Sequence, residues 1–164
     1  MIDVSQLRKY IVFPALQALQ LDAAELIILT IAQESLGGTY VHQVNGPALG
    51  ICQMEPATYL DIWEKYLPNK PEIVHKMLNY LEYSRIPKPE VMVYNMALSV
   101  MMARIHYLRV PESLPKMDDV PGLARYWNEH YNCNPNKGTD TEAIQNYLKF
   151  TGKMLKGVKS NGKG

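Results

Sequence analysis

The chain is short of several things, and each shortage removes a class of protein. It has only two cysteines, Cys52 and Cys133, in 164 residues, with no Cys-x-x-Cys spacing. A disulfide framework is therefore not expected, and two small buried thiols are the plain reading. There is no apolar run near 18 residues, so no membrane-spanning helix is expected. The formal charge is +1, which gives no global electrostatic reason to bind nucleic acid. The four histidines, His42, His75, His106 and His130, have no paired-ligand spacing, so no zinc site is expected. No Gly-x-Ser-x-Gly elbow and no phosphate-binding Gly-Lys-Ser/Thr loop are present. The N-terminus carries Asp3 early and no basic stretch before a long apolar core, so it does not read as a signal peptide.

What remains is one ordinary domain. A chain of this length buries roughly 70% of its unfolded surface and needs no staple. Turn and cap signals divide it into helices. The first is expected from about Ser5 to Gln20, with Leu7, Ile11, Leu16 and Leu19 inward and Pro14 bending or dividing it. Asp22 and Glu25 read as a capping-box start for a second helix, which Gly37-Gly38 ends. A short hairpin around 39–44 is expected, with Asn45-Gly46 as its turn. Pro56 and Pro71 each suit the first position of a helix. The stretch Glu90 to Arg109 is apolar almost all round and reads as a central buried helix, its methionines as core filler. Asp118-Asp119 before Pro121 marks another start, and Thr139 with Glu142 a capping box for a last helix to about Leu155. Five lysines and no acid follow Glu142, and residues 156–164 read as a frayed, flexible basic tail beyond a domain of residues 1–155.

The second helix carries the chemistry. Leu26 to Ala32 is apolar on nearly every side, and Glu34 continues the face of Ile27, Thr30 and Ile31. Apolar surroundings and the negative end of a helix both disfavour an ionised carboxylate. A carboxyl kept protonated in this way is what a general acid needs.

Glu34-Ser35, a fourteen-residue loop, and then Gly50-Ile51-Cys52-Gln53 with Pro56 and Thr58 resembles the lytic transglycosylase and goose-type lysozyme superfamily, and within it the phage-encoded members. The likeness covers residues 22–63 most closely and 95–147 in part. It implies a mainly α, lysozyme-like fold of about seven helices with a small loop or hairpin element beside a cleft. It implies cleavage of the β-1,4 bond between N-acetylmuramic acid and N-acetylglucosamine in bacterial peptidoglycan. Glu34 is then the catalytic acid, Ser35 assists it or the substrate, and Gln53 contacts sugar. No cofactor is implied. The partner is the glycan strand, met by a monomer or within a virion assembly. Without a leader, the protein would be made in the cytoplasm and reach the wall through a holin or as a virion component.

A later Ala-Tyr-Asn-x-Gly segment of that family brings a Tyr to the acid. Tyr131-Asn132 is the nearest match, with His130 in place of Ala and the Gly displaced to Gly138. Tyr126 is a second candidate, while Tyr94-Asn95 opens the central helix and is a decoy. Trp127 and Tyr40 are candidates for stacking on sugar. The 37–54 loop contains no Asp or Glu, and Glu55, the first acid after it, reads as a helix cap before Pro56. A site with one acid points to the transglycosylase route, in which the sugar's own 6-hydroxyl closes an anhydro ring. The alternatives are a hydrolase of the same fold and a non-catalytic virion or glycan-binding protein.

Overall fold

The computed structural model describes residues 1–132 and 138–154. Among the described residues the architecture is mainly α, with seven helices and only isolated β-bridges. Helix α1 covers residues 4–19, α2 is Ala24–Ser35, and α3 covers residues 56–66. Helix α4 is Pro71–Leu81, α5 is Met96–Leu108, α6 is Val120–His130 and α7 is Asp140–Thr151. Short 3-10 turns lie at Leu67–Asn69 and Pro89–Val93. None of these helices is long and apolar enough to cross a membrane.

Helix α1 is not uniform. Its middle, Arg8–Val12, is a π-turn in which Phe13 N–H reaches back to the Arg8 carbonyl. Pro14 follows it after one residue, Phe13. A proline lacks the N–H that would serve the carbonyl four residues back and collides with that carbonyl. The wider turn admits the ring without breaking the helix. The extra residue rotates the second half of the helix against the first. Val12 is therefore fully buried and Ile11 only partly, while Leu7, Leu16 and Leu19 are inward as expected.

Helix α2 lies against α6 and α7, and α1 packs on α4 and α5. Every residue from Leu26 to Ala32 is buried. So is every residue from Leu98 to Ile105, which makes α5 a second buried axis. The two meet where Thr30 Oγ1 and Tyr107 Oη lie 2.8 Å apart.

Three expected boundaries differ. The Asp22–Glu25 capping box does not form: Ala23 is the N-cap, at φ 93°, without a side-chain hydrogen bond. The Asp22 carbonyl is instead taken by Arg104 Nε at 2.6 Å, and the Glu25 carboxylate is drawn to Arg8, Tyr147 and Lys153. Helix α5 begins at Met96, because the Asn95 side chain accepts the Leu98 N–H and caps it there. Helix α7 ends at Thr151, with Gly152 at φ 66°. Its start is the expected Thr139–Glu142 capping box. Leu155, the 156–164 tail and Cys133 lie outside the described residues.

Candidate active site

The last turn of α2 and the loop after it form one braced unit. Leu36, Gly37 and Gly38 all take left-handed backbone angles, which reverses the chain directly after Ser35. Ser35 is fully buried. Its hydroxyl lies 2.6 Å from the Ile51 carbonyl and 3.0 Å from the Ile31 carbonyl, and accepts the Gly38 N–H at 3.0 Å. The expectation that Ser35 assists the acid or the substrate is therefore corrected. Its one proton is shared between the helix and loop carbonyls and it accepts from Gly38, so the hydroxyl clips the loop to the helix.

The loop itself is a minimal hairpin. His42 bridges Leu49, Leu49 bridges Met54, and Asn45 turns the tip at φ 57°. The segment from Gly50 to Gln53 is then fixed by three helices. The Cys52 N–H donates to Ser99 Oγ of α5 at 3.2 Å, and the Cys52 carbonyl accepts the Tyr131 hydroxyl at 2.8 Å. The third anchor is Ser35 on α2. Gly50 stands at φ 73°, and a Cβ there would lie 2.6 Å from Ser99 Oγ and 2.7 Å from the Met92 backbone oxygen. Only glycine fits that approach. Burial pushes the Cys52 thiol up to about 12, so it is an inert core group.

Around this unit lies a part-open cavity of about 280 Å³. Glu34, Gln53, Tyr131 and Asn132 line it, so the three sequence motifs converge on one space. Trp127 Nε1 donates to Glu34 Oε1 at 2.8 Å. That indole was a candidate for stacking on sugar; it lines the cavity, but at 1% exposure it leaves no ring face open for stacking. It braces the acid from one helical turn before Tyr131. Gln53, at φ 48°, gives its amide to the Gly50 carbonyl at 2.8 Å. Asn132 donates to Asn128 Oδ1 at 2.9 Å, which in turn holds Asp140 at 2.7 Å. Tyr126, the other tyrosine candidate, points away to the Glu112 carbonyl. Tyr40 is exposed on the loop and does not line the cavity.

Two titratable cavity residues were not expected there from the sequence. His106 of α5 meets the Tyr131 ring edge to face at 5.1 Å. Burial, and then the Arg109 guanidinium, lower its pKa to about 4. Arg109 Nη2 donates to His106 Nδ1 at 2.6 Å and Arg109 pairs with Asp61 at 2.9 Å, so the imidazole is held neutral. No His spacing rule could have found it. Its position on the apolar α5 was the available signal.

Glu55 is the other. It is the N-cap residue of α3, yet its side chain makes no capping bond. Glutamate is too long to reach back as Ser, Thr, Asp or Asn do. Glu55 instead lines the same cavity as Glu34, its side chain exposed. The expectation that Glu55 serves as a cap is corrected, and two glutamates line the cleft.

Among the described residues no group of three or more His, Cys, Asp or Glu side chains could hold a metal ion. No protein-family model matches this chain, and neither the curated proteins nor the solved structures yield a match.

Proposed function

We propose that this protein is a peptidoglycan-cleaving glycosidase of lysozyme-like fold, acting on the β-1,4 bond between N-acetylmuramic acid and N-acetylglucosamine. The observation that carries the reading is the Trp127-braced Glu34 at the end of a buried helix, in one cavity with Gln53, Tyr131 and Asn132. The cavity volume lies near the low end of ligand pockets, roughly 300–1,000 Å³, as suits a groove that grips part of a polymer. Glu34 protonates the bridging oxygen as the bond to the sugar C1 breaks. The indole N–H fixes the rotamer from which it does so. Gln53 and Asn132 hold the sugar's polar groups, and Tyr131 orders the wall between them. The glycan strand is the partner, and a phage protein would meet it through a holin or within a virion.

Of the two product routes, anhydro ring closure needs no acid beyond Glu34. The hydrolytic route is favoured by the second carboxylate, Glu55, on the cavity wall. A zymogram on purified cell wall tests the reading. The wild-type protein is expected to clear it, and Glu34→Gln to lose at least about 10²-fold in rate at unchanged melting temperature. Clearing by the variant at the wild-type rate refutes Glu34 as the acid. A wild-type protein that binds the wall without cutting it is a glycan-binding or virion structural protein.

A further inference from the structure

We infer that Glu55 is a catalytic base that activates a water, so that the cleft hydrolyses its glycan instead of closing an anhydro ring. The inference rests on the glycosidase reading above and goes beyond it by assigning the nucleophile. Three observations carry it. Glu55 and Glu34 line one cavity from different elements, Glu34 at the end of α2 and Glu55 at the start of α3. The Glu55 side chain is exposed and takes part in no hydrogen bond or ion pair among the described residues, so none of them competes for its oxygens. Its backbone is nonetheless fixed. Met54 on one side is buried and bridged to Leu49, and Pro56 on the other begins α3. A free carboxylate on a held backbone is suited to orient a water across a groove. An ordinary surface glutamate has neither the rigid mount nor a second acid lining the same cavity.

The step balances without a co-reactant. The Glu34 carboxyl gives its proton to the glycosidic oxygen, and the C1–O electron pair leaves with that oxygen. The oxygen of a water then bonds to C1, and one of its protons passes to the Glu55 carboxylate. Water returns that proton from Glu55 to solvent and reprotonates Glu34. The sum is the addition of one water and a reducing N-acetylmuramic acid end. In such glycosidases two carboxyl groups flank the scissile bond, one serving the leaving group and one the water. With the base removed, the sugar's 6-hydroxyl remains as the nearest nucleophile.

Mass spectrometry of digested wall separates the routes, because the anhydro end is lighter by one water. The wild-type protein is expected to give reducing ends. Glu55→Gln keeps the shape and removes the base, so cleavage should slow by about 10²-fold, within the range for general base catalysis. Anhydro ends should form a larger share of its products, and its melting temperature should not move. Only anhydro ends from the wild-type protein would overturn the inference, and so would wild-type rate and products from Glu55→Gln. Either leaves the glycosidase reading standing. A wild-type protein that cuts no glycan overturns both.

Discussion

Glu25 sits in the first turn of α2 and Glu34 in the last. Glu25 lies at the positive end of the helix, where a carboxylate is welcome. Burial pushes its pKa up, but hydrogen bonds from Tyr147, Arg8 and Lys153 outweigh that and hold the carboxyl below its usual range. The side chain is 18% exposed and ties α1, α2 and α7 together. Glu34 lies at the negative end, faces a cavity, and takes its Trp127 hydrogen bond from a neutral indole. Partial burial alone does not mark a catalytic acid. One glutamate is neutralised by two cations and belongs to the scaffold, while the other is mounted at the edge of a groove.

The contrast is sharpest for activity. Glu34→Gln should lose at least about 10²-fold in wall cleavage with little change in stability. Glu25→Gln should do the reverse. Equal losses of activity in the two variants would end the distinction.

The next effect lies on the cleft side and is read by pH. His106 is neutral in the folded protein and takes up a proton far more readily when unfolded. Its contribution is complete above the ordinary histidine value near 6.5 and is lost as pH falls towards about 4. The full span corresponds to about 3 kcal/mol. Chemical denaturation at a series of pH values measures it. His106→Gln should flatten that window, and an unchanged slope would mean that the histidine does not titrate there.

On the scaffold side, Glu25→Gln leaves Arg8 and Lys153 without their carboxylate and should cost about 2 kcal/mol, read by urea unfolding near neutral pH. Glu25's stabilisation is full above the ordinary glutamate range and is lost as pH falls below it, a more acidic window than that of His106. The smallest effect is Lys153→Ala. That side chain is 49% exposed, so only a few tenths of a kcal/mol should be lost in the same assay. A loss as large as that of Glu25→Gln would make Lys153, not Arg8, the main partner.

Periodicity and punctuation made the helices legible. The proline starts at 56 and 71, the Thr139 cap and the all-apolar α5 all lie where pattern places them, apart from Asn95 trimming α5. Side-chain direction was not legible. Ser35 carries a motif letter but spends its hydroxyl on Ile51, and Trp127 turns its N–H to Glu34 and buries its ring. Both outcomes depend on partners more than ten residues away. Glu55 was misread because its place before Pro56 fits a cap, while its length does not.

The π-turn in α1 has a consequence for comparing this chain with any other. A helix with one residue more than its hydrogen-bond ladder requires carries an insertion inside a secondary-structure element. A related chain without Pro14 would match the first half of α1 in one phase and the second half in another. The gap that restores the match belongs within residues 8–12, inside the helix. The second π-turn, Ile62–Tyr66, asks for the same allowance at the end of α3.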